Sequence, residues 1–113
     1  MTDNSTPDPR QRRVDALKQM LADQPNDEFA LYALALEYKS GDPDLWDEAE
    51  SLLERLLEVQ PDQLYGWYQL GDLRIADGRP EAARPALEEG LRRAQALNEA
   101  KAASELQALL DQV

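Results

Sequence analysis

The chain of 113 residues repeats part of its own sequence after 36 positions. A shift of 36 places six residues onto identical ones: Leu17, Leu21, Gln24, Pro25, Tyr32 and Leu34 fall on Leu53, Leu57, Gln60, Pro61, Tyr68 and Leu70. In both copies the matched residues flank a Gln-Pro turn, with leucines at helical spacing on either side. A period in this range predicts a stack of similar helical units, each of which buries its apolar face only against its neighbours.

The residues between the turns favour helices throughout. Leu and Ala contribute 35 of the 113 residues, whereas Ile and Val, which strands prefer, contribute 4. Proline, glycine and asparagine divide the sequence into six helical segments, at about 9–23, 26–41, 44–59, 62–78, 80–97 and 98–110. Because the connections between them are short, successive helices are expected to run antiparallel. The sequence thus predicts an all-α fold of about six helices, preceded by a disordered tail over residues 1–8.

The second unit carries large and small residues at a fixed spacing. The pattern consists of Trp67, Leu70, Gly71, Gly78, Ala83, Leu87, Gly90 and Leu91. It resembles the tetratricopeptide repeat, in which small residues let two helices approach closely and large ones fill the space beside them. The first unit matches less strictly, through Leu31, Leu34, Ala35, Tyr38, Gly41, Ala49, Leu53, Leu57 and Pro61. Arg74 stands where the family prefers an aromatic residue, and two extra residues lie in the first unit's turn, around 42–46.

The resemblance implies a right-handed superhelical array of antiparallel helix pairs, forming a single domain over residues 9–113. Its parts are a flanking helix over 9–24, repeat 1 over 26–60, repeat 2 over 62–97 and a capping helix over 98–111. The ending, with Ser-Glu-Leu-Gln at 104–107, is similar to that of small bacterial proteins with two such repeats. Gly71 stands at a close-packing position, so we expect it to be needed for folding rather than for binding a partner.

The resemblance also implies a concave groove lined by the first helix of each repeat. The predicted partner-binding residues are Phe29, Tyr32, Leu36 and Lys39 on one helix, and Tyr65, Tyr68, Gln69, Asp72 and Ile75 on the next. Aromatic residues offer a large contact area at low entropic cost, so this groove is expected to bind a peptide or helix of a partner protein. In the alternative interpretation some of these residues, above all Phe29 and Tyr65, pack as core.

The family's carboxylate-binding groove uses Lys and Asn at positions that are Tyr32, Leu36 and Gln69 in this sequence. We therefore predict that the groove does not bind a C-terminal carboxylate.

The composition excludes several kinds of function. Without Cys or His the chain has no thiol nucleophile, zinc finger or histidine base, and we predict no metal site and no cofactor. The 23 acidic and 12 basic residues give a net charge of −11, which argues against nucleic acid or an anionic membrane as the partner. A carboxyl group that acts as a general acid needs a desolvated pocket, which no part of the sequence predicts. We expect a cytoplasmic protein that is not an enzyme.

Acidic residues are concentrated in the middle of the chain. The acidic strip, as we call it, consists of Asp42, Asp44, Asp47, Glu48, Glu50 and Glu54. We interpret it as a solvated helix face, since acidic residues near a helix start also suit the helix dipole. Attraction of a basic partner is the alternative.

Two further functions remain open from the sequence. An incompletely capped end of the array could pair with a second copy in a weak homodimer, which a charge placed at Leu109 would then disrupt. The chain could also be an accessory subunit that stabilises one larger protein.

Overall fold

The computed structural model describes residues 8–113, which form six α-helices and one short 3-10 helix. The helices are α1 (Pro9–Asp23), α2 (Glu28–Ser40), α3 (Trp46–Val59), α4 (Leu64–Ala76), α5 (Pro80–Ala96) and α6 (Ala100–Leu110), and the 3-10 helix spans Pro43–Leu45. The all-α class and the number of helices are confirmed. Residues 8–113 contain no strand, and none of their helices is long and apolar enough to span a bilayer. The predicted disordered tail lies outside the described residues except for Asp8, which caps α1.

Local side-chain contacts explain where several helices begin and end. Three side chains accept a hydrogen bond from the backbone N–H three positions later, those of Asp8, Asp27 and Gln63. Each contact satisfies one of the amides that the first turn of a helix leaves without a partner. The turns after α4 and α5 contain residues in the left-handed region, Gly78 with φ 73° and Asn98 with φ 59°. Such a residue ends a helix because it reverses the local direction of the backbone.

The six helices lie in two rows. Each helix packs against the next one along the chain, and the backbones of α2 and α4, and of α4 and α6, also come close to each other. Among these helices, no such approach joins α1 to α3 or α3 to α5. We call α2, α4 and α6 the inner row and α1, α3 and α5 the outer row. The result is an elongated stack of helix hairpins with extents of 55 × 29 × 21 Å.

Glycines allow α4 and α5 to approach closely. The largest fully buried side chains are all leucines: Leu31, Leu53, Leu56, Leu73, Leu87 and Leu106. A Cβ atom added at Gly71 would lie 2.3 Å from Leu87 Cδ2, and one added at Gly90 would lie 2.6 Å from Trp67 Cβ. Both distances are far below van der Waals contact, so a larger residue at either position would force neighbouring side chains or the two helices to shift.

The turn between α2 and α3 differs from the prediction. The helix expected over 44–59 begins only at Trp46, because the residues before it form the 3-10 helix. Asp42 caps this short helix by accepting a hydrogen bond from the Asp44 N–H at 2.9 Å. Trp46 Nε1 then donates to the Lys39 carbonyl oxygen at 2.9 Å, which ties the start of α3 to the end of α2. This turn contains residues 42–46, where the sequence pattern predicts two extra residues.

The end of the stack also differs from the expectation. Leu109, which we expected at an exposed end, is only 6% exposed. It belongs to an apolar cluster that α6 forms with α4 and α5 and that includes Leu87 and Leu106. A charge at Leu109 would therefore disrupt the core rather than report on self-association.

Candidate protein-binding site

The predicted groove residues lie on α2 and α4, which are adjacent in the inner row. The 36-residue shift relates Phe29 to Tyr65 and Tyr32 to Tyr68, so each aromatic residue has a counterpart at the same position on the neighbouring helix. Phe29 is 66% exposed, so the interpretation of Phe29 as a core residue is wrong. The three tyrosines are half-buried. We call these four residues, which lie in the N-terminal halves of α2 and α4, the aromatic face.

The two tyrosines of α4 are held in place by α6. The rings of Tyr65 and Tyr68 meet edge to face, with centroids 6.1 Å apart and an angle of 62° between the ring planes. Both rings also pack against the apolar cluster of α4, α5 and α6. Burial raises the pKa of Tyr65, and the negative charge of Glu105 on α6 raises it further. Tyr65 thus combines partial burial with an exposed edge, and its hydroxyl stays protonated at neutral pH.

The C-terminal halves of the same two helices are joined by a polar contact. Lys39 Nζ donates hydrogen bonds to Gln69 Oε1 at 2.7 Å and to Asp72 Oδ2 at 2.5 Å. The Lys39 side chain is only 19% exposed, and Leu36 and Ile75 are half-buried. The structure therefore brings Lys39, Gln69 and Asp72 together, but their polar groups bind one another rather than facing a partner. The aromatic face is the more accessible half of the predicted groove.

This arrangement supports the prediction that the groove does not bind a C-terminal carboxylate. Asp72 already neutralises Lys39, so a carboxylate would have to replace it and would meet further negative charge. A peptide that ends in two acidic residues is expected to show no saturable binding in isothermal titration calorimetry. Tight binding that is lost in Lys39→Ala, but kept in Lys18→Ala on the exposed part of α1, would contradict the prediction.

Sequence reasoning missed the acidic side chains around the aromatic face. Glu105 on α6 and Glu99 both add negative charge near the Tyr65 hydroxyl. Glu28 lines a shallow cleft with Phe29 and Tyr32. The order of the helices could have revealed these side chains. Because α6 follows α4 in the inner row, acidic residues at the start of α6 and along it lie near the tyrosines of α4.

The acidic strip does not form a uniform solvated face. Glu50 accepts hydrogen bonds from Arg74 Nε at 2.7 Å and from Arg79 at 2.8 Å, and Glu54 pairs with Arg74 at 3.3 Å. The side chains of Glu50 and Arg74 are 16% and 15% exposed. Burial alone would raise the pKa of Glu50, but the hydrogen bonds from Arg79 and Arg74 more than offset it and lower the pKa. Glu50 is therefore a structural residue, whereas the strip from Asp42 to Glu48 is exposed.

The chain was also compared with known proteins. No protein-family model matches it, and a search of curated proteins finds no significant match. Within residues 8–113, no group of three or more acidic side chains is placed to hold a metal ion. The function of the site is therefore argued from its own residues.

Proposed function

We propose that the chain is a non-catalytic protein-binding module of the tetratricopeptide type, with two repeats over 26–60 and 62–97. It binds a peptide or helical segment of a partner protein across the N-terminal halves of α2 and α4, and the cytoplasm is its expected compartment. The observation that carries the proposal is the exposure of Phe29, at 66%, in register with the three tyrosines of the aromatic face.

Contact between aromatic surface and water costs free energy. Burying a side chain such as Phe contributes about 1.5–3 kcal/mol relative to leaving it in water. Phe29 does not obtain this stabilisation within the described chain. A partner that covers Phe29 and the exposed edges of Tyr32 and Tyr68 would supply it, and aromatic side chains supported by a rigid helix pair are typical of interface hot spots.

The neighbouring helices α4 and α6 of the inner row give the partner a defined shape to recognise. Tyr65 and Tyr68 are fixed by their mutual contact and by α6, so little side-chain freedom is lost on binding. The Lys39 contact closes the other half of the surface. A bound segment is therefore expected to occupy the aromatic face and to end near Lys39.

The test is the capture of partners by the purified, immobilised protein from a lysate of the source organism. We expect Tyr32→Ala plus Tyr68→Ala to lose a stoichiometric partner that the wild type retains, while circular dichroism shows that the variant is folded. The matched control is Met20→Ala plus Val59→Ala, which removes two exposed apolar side chains from α1 and α3 of the outer row. Loss of the partner in the control as well, or its retention in the tyrosine variant, would contradict the proposal.

Self-association remains the alternative, because Leu97 is 46% exposed at the turn between α5 and α6. Light scattering of the wild type and of Leu97→Glu tests it. A dimer that becomes a monomer in this variant would make the end of the stack, rather than the aromatic face, the principal interface. The other form of the alternative, an accessory subunit, predicts a single stoichiometric partner whose stability depends on this chain.

A further inference from the structure

We infer that the partner segment which occupies the aromatic face is cationic, with Arg or Lys placed beside apolar residues. This inference rests on the proposed function of that face and specifies the chemistry of the partner. It is carried by the charges around the four aromatic side chains.

Three carboxylates surround the aromatic face from three different elements. Glu28 precedes Phe29 at the start of α2, Glu99 precedes α6, and Glu105 lies on α6 beside Tyr65. Glu28 and Glu99 line one cleft together with Tyr65. The three carboxylates are therefore placed around a single surface, although they are far apart in the sequence.

These three carboxylates form no ion pair within residues 8–113. Their neighbours differ in this respect, since Asp62 pairs with Arg93 at 2.9 Å and Asp72 pairs with Lys39. The basic side chain that lines the same cleft is Lys101. One basic and three acidic groups leave the face with a net negative charge.

An arginine side chain matches this combination of groups. Its guanidinium group can pair with a carboxylate such as Glu105 while its flat face lies over an aromatic ring such as that of Tyr65 or Tyr68. Apolar residues next to the arginine would cover Phe29. The unpaired carboxylates would instead repel an acidic segment. The net charge of −11 would also slow the approach of such a segment.

The probe for the test is a phage-displayed library of random short peptides, selected for binding to the purified full-length protein. We expect the enriched peptides to combine Arg or Lys with apolar residues. Their dissociation constants, measured with synthetic copies, are expected to rise about three- to tenfold in Glu99→Gln plus Glu105→Gln, and to rise further at higher salt. Gln has nearly the same size and shape as Glu, so the change isolates charge.

The matched control is Glu81→Gln plus Glu88→Gln, which removes the same net charge from exposed positions on α5. Equal weakening by both double variants would mean general attraction to an acidic protein and would overturn the inference. Enriched peptides that are neutral or acidic, but are lost in Tyr32→Ala plus Tyr68→Ala, would also overturn it while leaving the proposed function intact. Peptides that bind this tyrosine variant as well as the wild type, or a library that yields no binder, would overturn both.

Discussion

Replacing Gly71 with leucine is expected to unfold the protein. Even a Cβ atom at this position would lie 2.3 Å from Leu87 Cδ2 and 2.5 Å from Leu87 Cγ. Leu87 is completely buried among other side chains, so a leucine at position 71 is expected to push α4 and α5 apart. Overpacking by single groups costs about 1–3 kcal/mol, and a leucine adds three further carbon atoms to a domain whose total stability is about 5–15 kcal/mol. Circular dichroism during a urea titration would measure the loss.

Two smaller substitutions make this prediction specific. Gly71→Ala is expected to lower the free energy of unfolding by about 1–3 kcal/mol, because the added methyl group alone meets Leu87. Gly78→Ala is the control, since no atom lies within 4 Å of its added Cβ and only the positive φ of 73° is unfavourable. Its cost is about 1 kcal/mol. A Gly71→Leu variant that unfolds at the same urea concentration as the wild type would show that this close approach is not needed.

The helices and their close contacts could be predicted from the sequence because they depend on local signals. Proline and capping residues fix the starts of helices within a few positions, and the repeat pattern singles out Gly71 before any contact is known. The beginning of α3 was less predictable, because Pro43–Leu45 form a 3-10 helix and the Trp46 side chain reaches back to the Lys39 carbonyl oxygen.

The contacts between neighbouring helices of the inner row could not be read in the same way, because they depend on how each helix is rotated about its axis. The exposure of Phe29 and the contact between Lys39 and Asp72 both follow from that rotation. Residues that were interpreted as one surface therefore divide into an accessible aromatic half and a closed polar half. The tetratricopeptide resemblance itself rests on the sequence pattern.

The ion pair between Glu50 and Arg74 could be related to another pair of positions in the sequence. The 36-residue shift places Val14 onto Glu50 and Tyr38 onto Arg74. Val14 and Tyr38 belong to one apolar cluster between α1 and α2, whereas Glu50 and Arg74 form an ion pair between α3 and α4. The two junctions thus have members of an apolar cluster and a charged pair at equivalent positions.

Replacing Arg74 alone would break the charged pair from one side. Arg74→Met is expected to lower the free energy of unfolding by about 1–3 kcal/mol at pH 7. The reason is that Glu50, which is 16% exposed, would keep its charge but lose its shortest contact. The full cost of about 3–5 kcal/mol for a deeply buried pair is not expected, because Arg79 also reaches Glu50 and is 40% exposed. Chemical denaturation followed by circular dichroism would measure the difference.

Replacing both residues of the pair tests whether the junction between α3 and α4 needs the charges or only well-packed side chains. Glu50→Val plus Arg74→Tyr copies the first junction into the second, and replacement of a partly buried ion pair by matching apolar residues is often neutral or stabilising. We therefore expect the double variant to regain most of the stability that Arg74→Met loses. Arg79 keeps its contact with Asp77 at 2.8 Å and stays solvated. A double variant less stable than Arg74→Met would mean that the second junction requires the charges themselves.

The dependence on pH separates charge from packing in the same variants. Hydrogen bonds from Arg79 and Arg74 lower the pKa of Glu50 from its ordinary value of 4.5 despite burial. A carboxyl group with a lowered pKa in the folded state stabilises the protein above about pH 4.5, and this contribution is lost as the pH falls through the folded-state pKa. The wild type should lose this contribution on acidification, whereas Glu50→Val plus Arg74→Tyr does not have it. The free energy of unfolding of the double variant minus that of the wild type is therefore expected to be larger at acidic pH than at pH 7. If this difference were the same at both pH values, the role of the Glu50 charge would be contradicted.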